Sequence, residues 1–207
     1  MAKSPWIAKV IVYRRASARV TLAAVLTLAL AVGNLSPVSA GNWGSTGSSG
    51  TGGITSGVWL TNNASWHIGQ RALGPYNDGV DWAIVVQYHP TDLNAIVNHS
   101  ATSCTDDGTY DLCIFDSNYG DNGVNGWNAC VSGTTVGSHP NQICRLDWVR
   151  INEFFSPPPR RIACHEIGHA VGLRHTLDQG SCLKRTIDGG DSEVLTTHDK
   201  GHINAQY

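Results

Sequence analysis

The run CHEIGHAVGLRHT, from Cys164 to Thr176, sets two histidines four residues apart, His165 and His169, with Glu166 between them. On a helix, four residues advance about 6 Å and nearly complete one turn. Both imidazoles then stand on one face and can meet one metal ion at about 2.0–2.1 Å. Glu166 sits beside the first histidine, off the direct line to the ion. From there its carboxylate can reach a water at the metal rather than the metal, as a general base does in metal-assisted hydrolysis. Gly172 offers a place for the chain to leave the helix with φ above zero, and His175 follows three residues later. A continued helix would carry His175 about 9 Å of rise beyond His169, too far to share an ion. A sharp turn at Gly172 would bring it back, so the glycine and the third histidine explain each other. The competing reading, of ordinary surface or core histidines, accounts for a pair at this spacing but not for the pair, the glycine and the third histidine together.

These residues need a helix and a turn to carry them. In RRIACHEIGHAVGLRH (160–175) the Ala, Ile, Leu, Glu and Arg content predicts a helix that Gly172 ends. Ser156 and three prolines, 157–159, precede it and stop any strand, because proline lacks an amide and fixes φ. CRLDWVRINEFF (144–155) predicts a strand, as do VWLTN (58–62) and the short apolar piece Leu112 to Phe115. DWAIVVQYH (81–89) is the strongest strand candidate by its Trp, Ile, Val and Tyr content. Gly-Pro and Asp-Gly between Arg71 and Asp81 predict turns. LTTHDKGHINAQY (195–207) predicts a last helix, with Thr196 or Thr197 as N-cap and Asp199 in its first turn. Segments 61–73 and 90–97 are the candidates for an earlier helix. Strands first and helices later suggest α+β.

The first forty residues read as an export signal. Lys3, Lys9, Arg14, Arg15 and Arg19 are followed by VTLAAVLTLALAV, then VSA ahead of GNW. Basic start, apolar core and small-residue exit predict a signal peptide, 1–40, cleaved after Ala40. The apolar run is short for a membrane span, which needs about 20 residues. Residues 41–57 are nearly all Gly, Ser and Thr and predict a flexible segment. The folded domain is then 58–207. Past residue 40 the chain keeps nine basic residues against sixteen acidic ones, a net charge of −7. This balance argues against nucleic acid and anionic membrane as partners.

All six cysteines, at 104, 113, 130, 144, 164 and 182, lie in the mature part. In an exported chain they predict three disulfides, with every pairing open at this stage. DSNYGDNG (116–123) offers Asp116, Asn118 and Asp121 as calcium oxygens. It lacks the full calcium-loop pattern, so a solvated loop is the expectation and calcium the alternative. His67, His89, His99 and His139 have no metal-site spacing.

HEIGHAVGLRH matches HExxHxxGxxH and resembles the zinc motif of the metzincin clan of metallopeptidases. The tail LTTHDKGHINAQY is similar to the C-terminal helix of the matrixins within that clan. Thr176 departs from the serine usual in matrixins after the third histidine. The resemblance implies a metzincin-like twisted mixed β-sheet with an active-site helix and a C-terminal helix. It implies His165, His169 and His175 as ligands of one catalytic zinc ion, Glu166 as general base and acid, and Gly172 as the turn glycine. Metzincins place a methionine in a turn beneath the metal. The one methionine here is Met1, so Leu183, in GSCLK, takes that role by position. In this picture a Cys164–Cys182 bond closes a loop around the three histidines, and local pairing leaves Cys104–Cys113 and Cys130–Cys144. The expectation is a secreted, monomeric zinc endopeptidase acting on a peptide or protein substrate. An edge strand from Gly126 to Val131 is expected to hold that substrate in extended form. The rivals are an inactive zinc-binding module and a metal-free structural or inhibitory protein stapled by disulfides.

Overall fold

The computed structural model describes residues 41–46, 57–131, 133–186 and 191–207. The expected signal peptide lies outside the described residues. Strands β1 (Ser65–Gln70), β2 (Asn94–Asn98), β3 (Leu112–Ser117), β4 (Gly126–Cys130) and β7 (Asp147–Asn152) form one sheet in the order β2-β1-β3-β7-β4. The first four positions run parallel, and β4 closes the edge antiparallel to β7. β5 (Thr135–Val136) and β6 (Ile143–Cys144) form a separate small ribbon. Helices α1 (Gly74–Ala83), α2 (Pro159–His169) and α3 (Thr197–Gln206) complete an α+β architecture.

Alternation sorts the sheet into two faces. Ile68, Leu112, Ile114, Val149 and Ile151 are fully buried in the core shared with the helices. Each such side chain contributes roughly 1.5–3 kcal/mol by leaving water. Phe115, Trp148 and Arg150 alternate with them and belong to the opposite face.

The expected strand at 81–89 is a helix. α1 runs through Ala83 and continues as a π-helical turn, Ile84–Tyr88. Tyr76, Val80, Ala83, Ile84, Gln87 and Tyr88 are buried, while Val85 and Val86 are exposed. Buried residues spaced at 3, 4, 7 and 8 mark one face of a helix. That period overrides the β-branched composition, which reports only a weak preference. The Gly-Pro expected as a turn instead starts this helix, with proline in the first turn where its missing amide costs nothing. Asp-Gly lies inside the helix because Gly79 lets it approach α2: a Cβ there would sit 2.6 Å from the Pro159 carbonyl carbon. Both segments considered for an early helix carry strands instead, β1 within 61–73 and all but the last residue of β2 within 90–97. VWLTN is no ladder strand; Leu60 makes one bridge, to Ile143.

The expected disulfides form: Cys104–Cys113, Cys130–Cys144 and Cys164–Cys182. α3 starts with a capping box. The Thr196 hydroxyl accepts from Asp199 N–H, and the Asp199 carboxylate accepts from Thr196 N–H. The opening of the segment expected to be flexible is docked on the domain. Gly44 N–H donates to Gly172 O (2.8 Å), and Arg174 N–H donates to Asn42 O (2.7 Å). Trp43 stacks on His202 with ring centroids 5.4 Å apart. Residues 47–56 of that segment lie outside the described residues. No described helix is long and apolar enough to cross a membrane.

Candidate metal centre

α2 begins at Pro159 and is buried along nearly its whole length, from Arg161 to His169. The helix ends at His169, and Gly172 turns the chain with φ of +99°. Leu173 N–H closes back onto Gly168 O at 2.9 Å, the bond of a helix stopped by a left-handed glycine. A Cβ on Gly172 would meet Leu60 at 2.5 Å and the Trp43 ring at 3.1 Å, so conformation and space both demand glycine.

The turn returns His175 to the helix. The Nε2 atoms of His165, His169 and His175 lie 3.1, 3.2 and 3.2 Å apart. The outer ring nitrogens are fixed by backbone carbonyls: His165 Nδ1 lies 2.8 Å from Cys182 O, and His169 Nδ1 lies 2.7 Å from Leu173 O. A carbonyl only accepts, so each Nδ1 carries the proton and each Nε2 presents a lone pair inward. Arg161 Nη1 lies 3.2 Å from His165 Nδ1, but a protonated Nδ1 cannot also accept from it. The guanidinium is held instead by Lys184 O at 2.7 Å.

Electrostatics keep these rings neutral. Burial lowers the His165 pKa well below the ordinary imidazole value, and His169 and His175 add to the effect. Burial pushes His169 down to about 3, with help from His175. His175 is lowered by burial and then by Arg185 and Arg161. Two bare lone pairs facing each other and a third imidazole repel, and a cation relieves them. Tetrahedral zinc at 2.0–2.1 Å would separate its ligand atoms by about 3.3–3.4 Å, close to what is found. The donor set fits one zinc ion. Among the described residues, this is the one cluster of three or more His, Cys, Asp or Glu side chains poised for a metal.

The Glu166 side chain lies against the start of β4. A Cβ on Gly126 would lie 2.9 Å from Glu166 Cγ and Oε1. Burial raises the Glu166 pKa to about 8, opposed by Arg161. Among the described residues its carboxylate accepts no hydrogen bond. A proton-hungry carboxylate without a protein partner suits the handling of a proton from a small molecule.

The turn after His175 packs against α2. Leu183 is fully buried beneath α2; a Cβ on Gly168 would lie 3.0 Å from its methyl carbon. Thr176 N–H donates to Leu183 O, and the Ser181 hydroxyl accepts from Leu183 N–H, both at 3.0 Å. Ser181 donates in turn to Asp199 Oδ2 on α3 (2.8 Å), whose Oδ1 accepts from the Asn42 side chain (2.8 Å). The Tyr88 hydroxyl donates to Cys164 O at 2.7 Å, behind the first histidine.

The edge expected at Gly126 to Val131 is present as β4, but it is open over a shorter length. Asn128 O accepts from Gly57 N–H at 3.0 Å, so it points away from β7 and is already used. By the two-residue alternation of an antiparallel ladder, the N–H and C=O of Gly126 also point outward. Gly126, at the end of β4 beside Glu166, therefore turns open backbone groups outward. Asn152 holds the loop before it. Its Oδ1 accepts from Tyr119 and Phe154 N–H, and its Nδ2 contacts Gly120 O, Asn122 Oδ1 and Val124 O at 2.9, 2.9 and 3.2 Å. Two of the oxygens suggested for calcium are engaged by the chain itself: Asp116 accepts from Leu73 N–H, and Asn118 accepts from Gly120 N–H.

The sequence motif located every residue of the triad. Arg161, Tyr88, Asn42 and Asn152 carry no motif and were missed. Only Gly126 had been singled out among their kind, as an edge residue. Over residues 144–207 the chain matches the sequence model of the matrixin family. The match takes in α2, Gly172, His175, Leu183 and α3, about a third of the chain, and supports a metzincin-like peptidase-type enzyme. No curated protein matches the chain.

Proposed function

We propose that the chain is a secreted zinc endopeptidase in which His165, His169 and His175 hold one catalytic zinc ion and Glu166 is the general base. The observation that carries this reading is the convergence of three neutral Nε2 atoms near a buried carboxylate that accepts no hydrogen bond among the described residues. The matrixin match over the same residues supports it. Bound there, zinc supplies Lewis acidity toward a peptide carbonyl and toward water. The open end of β4 aligns an extended peptide by adding it as a further strand. Gly126, without a side chain, leaves room between that peptide and Glu166. Glu166 takes a proton from the attacking water and returns it to the leaving amine. Cys182 O and Leu173 O orient the first two imidazoles, as outer carbonyls do for metal-bound histidines. Leu183 serves as the apolar floor in place of a methionine. Three disulfides favour an oxidising compartment, and the protein acts as a monomer on peptide or protein substrates.

The test is casein hydrolysis by the mature protein. Activity should disappear with a chelator and return with zinc. Glu166→Gln should retain stoichiometric zinc and lose turnover by at least about 100-fold, the scale of general base catalysis. Zinc-loaded protein without activity would leave an inert binding module, and protein that takes up no zinc would leave a disulfide-stapled structural one.

A further inference from the structure

The sheet face opposite the helices carries a row of rings and cations. Trp127 on β4 pairs in register with Arg150 on β7, and Arg150 pairs with Phe115 on β3. Arg71, just past β1, lies at the same level, since Gln70 pairs with Ile114. Arg71 stands over the Phe115 ring at 5.4 Å. Arg150 stands over Trp148 at 4.7 Å and over Trp127 at 5.7 Å. Tyr119 packs edge-on against Trp127, with centroids 4.8 Å apart. A cavity of about 300 Å³ opens here, lined by Arg71, Cys104, Phe115, Tyr119, Trp148 and Arg150.

Neither arginine forms an ion pair among the described residues, although the mature chain is net acidic; Arg150 interacts with the Tyr119 hydroxyl at the rim. The Trp148 indole N–H, in the wall, also has no acceptor. Stacking occupies the faces of the guanidinium groups; the Arg71 edge stays open, and the Arg150 edge keeps the hydrogens that Tyr119 does not take. Those edges match a carboxylate in two-point fashion. The rings fix both cations beforehand, which lowers the ordering cost of binding. Two fixed cations in an aromatic cavity therefore select a ligand carrying carboxylates beside an apolar ring.

We propose that this cavity is a second binding site, outside the scissile cleft, for an acidic, aromatic-containing segment of a polypeptide substrate. That it is a polypeptide rests on the peptidase reading and on continuity: the row begins at Trp127, next to Gly126 on the strand to which a substrate would add. Arg71 and Arg150 take the carboxylates, and the exposed ring of Tyr119 offers a face to the aromatic residue.

Binding without turnover separates this site from the catalytic one. The probe is acetyl-Phe-Glu-Glu-Glu-amide, titrated into zinc-loaded Glu166→Gln protein and followed by tryptophan emission. Its neutral counterpart, with Gln for each Glu, is the control. The acidic peptide should bind, weaken with added salt, and weaken about tenfold in Arg71→Gln and in Arg150→Gln, the loss of one charge-assisted hydrogen bond. The control should not bind. Arg71→Gln alters an exposed side chain and carries the test if Arg150→Gln unfolds. Equal binding of the two peptides, no binding of either, or undiminished binding of the acidic one in the variants would overturn the site. Oligogalacturonate binding through the same arginines, without peptide binding, would overturn the polypeptide assignment. In wild type, adding the acidic segment to a cleavable peptide should lower KM and leave kcat unchanged. Absence of all cleavage with peptide binding intact would refute the peptidase reading and leave the anion site standing.

Discussion

Two walls meet where Gly126 of β4 approaches Glu166 of α2, and they are held by different means. The wall that carries the histidines is tied many times over. A disulfide joins Cys164 to Cys182, two backbone carbonyls hold imidazoles, a left-handed glycine turns the chain, and Asp199 anchors the Ser181 turn from below. The opposite wall, the loop from Tyr119 to Asn125 and the start of β4, leans on one buried amide, Asn152. On the proposed function, three ligand atoms must meet within tenths of an ångström, whereas a substrate strand needs only a row of backbone groups. The redundancy follows the tolerance each task allows.

The largest effects should come from the first wall. His175→Ala should weaken zinc binding by more than about 100-fold, beyond what loss of an outer partner costs. Gly172→Val should do likewise through the backbone, since its side chain would enter Leu60 and Trp43 at a positive φ. Competition with a chelator measures both, and unchanged affinity in His175→Ala would remove this residue from the site.

Beneath the histidines, Leu183→Ala should cost about 2–5 kcal/mol and loosen zinc, because a buried cavity opens under the helix. Leu183→Met, similar in volume, should change stability by less than about 1.5 kcal/mol. An alanine variant as stable and as tight for zinc as the parent would deny Leu183 its supporting role.

On the second wall, Asn152→Ala should cost about 1–3 kcal/mol, the penalty of leaving buried groups unpaired. It should raise KM while zinc affinity stays unchanged. A loss of zinc there would show that the walls are coupled, against the comparison drawn above. Added calcium should leave wild-type stability unaltered, because Asn152 Nδ2 already fills the space between the loop oxygens.

The effect most remote from the histidines lies at the far end of β7. Burial raises the Asp147 carboxyl to about 7, opposed by the Asn128 side chain and by the Trp148 N–H that its Oδ1 accepts. The folded value exceeds the unfolded one. Its contribution is therefore fully present below about pH 4 and is lost as pH rises through about 7. Asp147→Asn should flatten that part of the stability profile and be the more stable protein at pH 8. Urea unfolding at pH 5 and pH 8 measures the difference, and identical slopes would show that Asp147 is ionised in the fold.

Sequence alone determined what depends on neighbours a few residues away. The helix of His165 and His169, the turn at Gly172, the return of His175 and the cap at Thr196 are all set by local spacing and backbone permission. The three disulfides, each closing a short loop, could also be paired from the family picture. Tertiary structure decided the rest. Residues 81–88 have a strand's composition, and the buried stripe they must present to α2 and the sheet makes them a helix. Asn42 meets Asp199 across 157 residues. Gly126 stands over Glu166 only because β4 pairs with β7, and the rings and arginines of the outer face form a row only through strand register. Such contacts join residues far apart in the chain, and no short pattern records them. Composition states a preference of a fraction of a kcal/mol per residue, which burial of a single large side chain exceeds.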